Sequence, residues 1–184
     1  WEEVGDLLTY AGWLHGFIRQ GEYVVGANAT EYSVFDPRSG EFGGMHPRYQ
    51  LFKTYREQAG TKPVRAMLET PVRQSPVEGG KDVTPIFNVP VIDAVVLQDS
   101  THQSISIGLI NRDLEKSHSI EIDLRDFDPA SRATQYLIWD KNAIQDTTDR
   151  QGDTKVYEQP IEVSQNFNIQ LKPHSVTLIK LKTK

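Results

Sequence analysis

Between residues 104 and 126 the chain alternates apolar and polar positions twice. Ile105, Ile107 and Leu109 are interleaved with Ser104, Ser106 and Gly108, and then Ile120, Ile122 and Leu124 with Ser119, Glu121 and Asp123. A period of two puts all the aliphatics of each run on one face of a pleated strand. The residues between, Asn111-Arg112-Asp113-Leu114-Glu115-Lys116, carry turn formers and charge, so the pattern predicts a β-hairpin closed by a surface connection. Such a hairpin needs a second layer over its apolar face. Further strands are predicted at 64–69, 94–98, 134–139, 155–158, 168–171 and 176–181, with Pro71, Pro76, Pro85, Pro90, Pro129, Pro160 and Pro173 between strands. Many short strands, turn residues between them and no helical period indicate an antiparallel β-sandwich or jelly roll.

Upstream the pattern is of another kind. Val4, Leu7, Leu8, Ala11, Leu14 and Ile18 recur at spacings of three and four, which predicts an amphipathic helix over 1–20. Glu2, Glu3 and Asp6 at its start and Arg19 at its end suit the helix dipole, and Gly21 stops it. Residues 23–29, YVVGANA, are apolar with almost no alternation, as in a strand buried on both faces. A loop rich in Gly, Pro, Asp and Ser covers 30–47, and a second helix is predicted over 47–59, closed by Gly60. Helix, buried strand, loop and helix is the grammar of an α/β barrel or a doubly wound sheet. It is too little for either, so residues 1–60 are expected to be the end of a larger domain, with residues 61–184 as a separate sandwich domain and the boundary near 60–63. The apolar face of the first helix is then expected to need a cover: the missing segment or a second copy of the chain, hence a homo-oligomer.

Charge and composition remove several function classes. A net charge of −5 argues against nucleic acid, whose phosphates call for clustered Lys and Arg. No apolar run approaches membrane-spanning length, and no signal-peptide pattern opens the sequence. The chain has no Cys, which excludes thiol nucleophiles, disulfides and zinc–thiolate sites; the compartment stays open. No residue pattern implies a cofactor.

Candidate chemistry is sparse. His15, His46, His102, His118 and His174 show no metal-ligand spacing, and their plain reading is surface or capping residues. Gly40–Gly44 lacks the order of a phosphate loop. Asn28-Ala29-Thr30 matches a glycosylation sequon, which a buried strand would render fortuitous. Substrate sites in barrels and open α/β sheets collect at the C-terminal ends of strands. That singles out Asn28, Glu31, Tyr32 and Asp36 as the best-placed polar groups. Glycoside hydrolysis needs two carboxyls flanking the scissile bond, and only Glu31 is placed for either role.

The order of three stretches, LLTYAGWLHGFIRQGEYVVGANATEY, HPRYQLFKTY and SISIGLINRDLEKSHSIEIDLRDF, resembles the C-terminal portion of glycoside hydrolase family 51, the α-L-arabinofuranosidases. Pro47-Arg48-Tyr49 corresponds to a helix start of that family and Ile110-Asn111-Arg112-Asp113 to a strand end. The resemblance implies the last helix–strand–helix of an incomplete (β/α)8 barrel followed by a jelly-roll-like sandwich, mainly β overall. It implies a retaining glycosidase that removes arabinofuranosyl groups from plant polysaccharides, with arabinose-containing chains as the partner. Both catalytic glutamates of the family would lie upstream of Trp1, so this chain alone is expected to hydrolyse nothing. Glu31 falls where the family places a Gln that touches the sugar; a carboxylate also accepts hydrogen bonds from hydroxyls. Asn28 and Glu31 are therefore the expected substrate contacts. The competing reading is a non-catalytic carbohydrate-binding or structural module, which would need a planar row of exposed aromatics, with Tyr136, Trp139 and Tyr157 as the candidates.

Overall fold

The computed structural model of the chain describes residues 4–24, 47–74, 87–140 and 155–184. At its centre is a six-stranded, wholly antiparallel sheet. Its strands in spatial order are β1 (Lys62–Val64), β4 (Ile92–Gln98), β5 (Ser104–Asn111), β10 (Ser175–Lys182), β7 (Arg132–Trp139) and β8 (Lys155–Glu162). The short β2 (Val72–Arg73) and β3 (Val89–Pro90) pair with each other. A third sheet joins β6 (His118–Asp123) to β9 (Asn166–Leu171).

The predicted hairpin does not form. Each of its two runs is a strand, but β5 lies between β4 and β10 while β6 pairs with β9. Residues 112–117 therefore carry the chain from one layer to the other. Their physical reason is the two-sided burial of β5. Ile105, Ile107 and Leu109 meet Ile122, Phe167 and Ile169 of the β6–β9 layer in one apolar core. Ser106 and Gly108 point the other way and are buried too, under helices. A strand covered on both faces belongs in the middle of a sheet, and its sequence neighbour is free to supply the cover.

Those helices are α1 (Val4–Arg19) and α2 (Pro47–Gln58). Leu7, Leu8 and Ala11 of α1 and Leu51 and Tyr55 of α2 share a second core with Val95, Ile110, Tyr136, Ile138, Val176 and Leu178 of the sheet. Leu14 and Ile18 pack against its margin. The apolar face of α1 was expected to await a missing partner; it is instead covered by the sheet within this chain. Gly60, just past α2, has a reason beyond stopping the helix: a Cβ there would lie 2.4 Å from the Gln98 backbone. On α1 the aromatic residues left outside are Trp13 and Phe17, exposed one turn apart beside the half-buried Tyr10, whose ring is tilted against Trp13 with centroids 5.0 Å apart and meets Phe52 edge-on.

Other expectations shift at the edges. The strand predicted at 64–69 is the shorter Lys62–Val64, and β2 and β3 were not anticipated. Pro160 sits inside β8 rather than between strands. It is tolerated because β8 is the sheet's edge and loses no inward hydrogen bond. The buried strand predicted over 23–29 lies, from residue 25 onward, outside the described residues. Tyr23 is exposed, and the Tyr23 and Val24 amides donate to Gln20 O at 2.8 and 2.9 Å in tight turns. Among the described residues no helix is long and apolar enough to cross a membrane.

Candidate functional site

Asn28, Glu31, Tyr32 and Asp36 lie outside the described residues, as do Glu2, Glu3, His46, the sequon and Gly40–Gly44. The chain sets out toward them from the C-terminal turn of α1, where Gln20 N donates to Gly16 O and Phe17 O and Gly21 N to Ile18 O. That turn rests on the most polar part of the helix–sheet seam.

There α1 contributes His15 and Arg19, α2 contributes Tyr55, and the sheet contributes Asp93 on β4 and Arg112 just beyond β5. Arg19 and Arg112 both donate to the Asp93 carboxylate, one to each oxygen. Arg19 also donates to Ala94 O at 3.0 Å and Arg112 to Pro90 O at 3.2 Å. The fully buried His15 ring places Nε2 at 2.6 Å from Tyr55 Oη and Nδ1 at 3.5 Å from Asp93 Oδ1. A neutral imidazole has one N–H. Nδ1 makes no hydrogen bond, the Asp93 carboxylate being only its nearest charge; an N–H placed there by that charge leaves Nε2 to accept from the Tyr55 hydroxyl.

Hydroxyl, imidazole and carboxylate follow in the order of a nucleophilic triad, but the imidazole–carboxylate hydrogen bond is not made and the surroundings deny the group that chemistry. Burial, and then the charges of Arg19 and Arg112, lower the His15 pKa from 6.5 to about 3. An imidazole so reluctant to take a proton is a poor base at neutral pH. Burial also pushes Tyr55 above its ordinary range. Gly108 closes the remaining space, since a Cβ there would stand 2.4 Å from Tyr55 Oη and 3.0 Å from His15 Nε2. The cluster orients elements; it does not react. Sequence reasoning missed Asp93 because the strand was begun at Ala94. A charged residue in Ile92-Asp93-Ala94-Val95-Val96, in phase with the buried Val95 and Leu97, is the signal that would have found it.

The Asn111-Arg112-Asp113 stretch is architectural as well. Asn111, wholly buried, donates from Nδ2 to Lys116 O and Lys172 O and accepts from Asp113 N. Asp113 takes the Glu115 and Lys116 amides on Oδ1 and His118 on Oδ2. Partial desolvation works against its ionised form, but His118 and those amides outweigh it and hold the carboxyl at about 2. His174 N donates to Asp113 O, and its ring lies between Leu114 O and Asp140 O at 2.9 and 2.8 Å. The motif is the corner that turns the chain from β5 to β6.

The aromatic candidates do not form one platform. Tyr136 is buried under the helices, donating to Gln58 Oε1. Trp139, on the opposite face of β7, has Lys172 Nζ 4.4 Å above its ring and the His174 ring stacked at 6.3 Å. Tyr157 alone is well exposed. Of the other histidines, His102 contacts Gln98 Oε1 in the β4–β5 turn. Among the described residues no group of His, Asp and Glu could hold a metal ion.

Comparison with known proteins places these features in a family. The family model for the α-L-arabinofuranosidase C-terminal domain matches residues 2–175. The crystal structure of the Thermotoga maritima α-L-arabinofuranosidase in its arabinose complex superposes with a TM-score of 0.85 at 19% identity, covering 98% of this chain and 38% of that one. Another arabinofuranosidase crystal structure gives 0.86 at 19% identity, over 98% of this chain and 39% of the other. The family 51 enzyme from Xanthomonas axonopodis pv. citri gives 0.70 at 17%, over 98% and 36%. No curated protein matches the sequence. The chain thus spans roughly two-fifths of the length of the solved structures it resembles. With its antiparallel sandwich, its helix pair on one face and a family match along nearly its whole length, the chain belongs to the C-terminal domain family of the glycoside hydrolase family 51 α-L-arabinofuranosidases.

Proposed function

We propose that this chain is the C-terminal part of a retaining glycoside hydrolase that removes terminal arabinofuranosyl residues from plant polysaccharides. The family match over residues 2–175 carries the reading. In it, residues 1–60 are the terminal helix–strand–helix of the catalytic (β/α)8 barrel, and residues 61–184 are the sandwich attached to it. Asn28 and Glu31 contact the sugar, and the two catalytic glutamates belong to the remaining barrel. The span of two-fifths of the relatives' length supports this division. So do the exposed aromatic residues Trp13 and Phe17 on α1. Large apolar patches mark interfaces, and here the barrel segment of the same polypeptide is the proposed cover; a second copy of the chain is the alternative cover. The non-catalytic carbohydrate-binding reading is disfavoured by the covered rings of Tyr136 and Trp139.

The test is release of p-nitrophenol from p-nitrophenyl α-L-arabinofuranoside. The full-length protein is expected to turn it over, the isolated chain is not, and Glu31→Ala in the full-length protein is expected to impair turnover without unfolding. Loss of a hydrogen bond to a charged group costs about 1.5–3 kcal/mol. Turnover by the purified isolated chain would end the proposal.

A further inference from the structure

The last side chain of α1 is only half in solvent. Arg19 turns back onto β4, donating to the Asp93 carboxylate and to the Ala94 carbonyl at 3.0 Å. Asp93 is nearly buried, and its second oxygen accepts from Arg112, whose backbone carbonyl is in turn held by Arg73 at 2.8 Å. Leu7, Leu8 and Ala11 give α1 its adhesion to the sheet, but apolar contact is non-directional. The Arg19 Nη2 group, shared between a carboxylate and a carbonyl of neighbouring residues on β4, ties the helix end to one point of the sheet. Ion pairs removed from water add little stability over well-packed apolar groups, and their best use is to specify geometry. From Arg19 to Val24 the backbone is stitched by the bonds of Gln20, Gly21, Tyr23 and Val24. An orientation set at Arg19 is therefore transmitted to Val24.

We propose that Arg19 and Asp93 are positioning residues: through this clamp the sandwich sets the direction in which the chain leaves α1 toward Asn28 and Glu31. The catalytic consequence rests on the proposed function; the clamp does not. On this reading the sandwich takes part in shaping the sugar site without touching the sugar.

The experiment compares Arg19→Met, Arg19→Lys and Ile169→Val in the full-length protein. Arg19→Met leaves Asp93 paired with Arg112, so the fold is kept. Ile169→Val trims the β6–β9 layer, remote from α1. Hydrogen exchange at the Tyr23 and Val24 amides is expected to quicken about tenfold or more in Arg19→Met, with β5 and β10 unchanged. KM for p-nitrophenyl α-L-arabinofuranoside is expected to rise about tenfold with kcat less affected, and Arg19→Lys, which keeps the charge and a donor on a shorter side chain, to recover part of both. Ile169→Val is expected to lower Tm and leave both readouts where they were. Unchanged exchange at Tyr23 and Val24 in Arg19→Met overturns the clamp. Quickened exchange with unchanged KM in an active enzyme overturns its bearing on the sugar site. A wild type with no arabinofuranosidase activity overturns the proposed function, while the exchange still decides the clamp.

Discussion

Ile105, Ile107, Leu109, Ile179 and Leu181 look from the six-stranded sheet onto β6 and β9. Asp93, Ser106, Gly108 and Tyr136, on the same sheet, look onto α1 and α2. The first interface is apolar on both sides. The second has an apolar middle ringed by directed bonds: Ser106 Oγ to Gln58 O, Tyr136 Oη to Gln58 Oε1, Arg19 to Asp93, and Tyr55 to His15. Apolar burial is non-directional, so the angle between those two layers is left to sheet twist and side-chain interdigitation. The helix side, which leads toward the proposed sugar contacts, is the one with directed restraints.

The comparison can be broken in acid. Folded His15 stays neutral down to about 3, whereas in the unfolded chain it takes a proton at its ordinary 6.5. Between those values the unfolded state binds more protons, so stability falls as pH falls from 6.5. Asp113, held at about 2 against an ordinary 3.8, adds its own loss only below that ordinary value. His15→Gln can still accept from Tyr55 and donate toward Asp93, and is expected to flatten the fall between pH 6.5 and 4 in urea titrations. An equally steep fall in His15→Gln would place the acid sensitivity elsewhere.

Asp93→Asn comes next. It leaves two guanidiniums facing a neutral amide, an expected loss of about 3 kcal/mol, the low end for breaking a buried pair because Arg19 is half in solvent. Denaturant unfolding measures it, and a loss below that of a surface substitution would show the cluster to be ornamental. Gly108→Ala forces a methyl group against the Tyr55 hydroxyl, and Tyr55 has no room to swing away. Overpacking of this kind costs about 1–3 kcal/mol, visible as a lower Tm and, in a crystal structure, a displaced Tyr55. On the β6–β9 side Ile169→Val should cost only about 0.5–1.5 kcal/mol, with no change in how α1 sits.

The strands were legible because period two survives in Ile105-Ile107-Leu109 and Ile120-Ile122-Leu124, and the helices because Leu7, Leu8 and Ala11 keep the spacing of one face. Pairing was not legible. Alternation states that a strand has two faces but does not name the neighbour, so adjacent runs were joined as a hairpin when a corner separates them. The face of α1 was readable and its cover was not, since the sheet's helix-facing surface is built from residues as unlike as Gly108 and Tyr136. Arg112, read as part of a solvated connection, proved half-buried because Asp93 beneath it needed a second cation. The expected substrate contacts Asn28 and Glu31 lie beyond the described residues, so the legible part of the site is the seam leading to them.

β10 has a consequence in time as well as in space. It comes last of the strands among the described residues yet lies between β5 and β7. Until it is in place, β1-β4-β5 and β7-β8 are two separate ribbons, each with an apolar strand on an open edge, β5 on one and β7 on the other. Closing the sheet joins Ser104 to Lys182 and Asn111 to Ser175 across long stretches of chain, which makes folding slow. A growing polypeptide therefore carries both edges open from the emergence of β7 until β10 follows it. That interval, rather than the finished molecule, is when this domain is most prone to pair with the wrong strand.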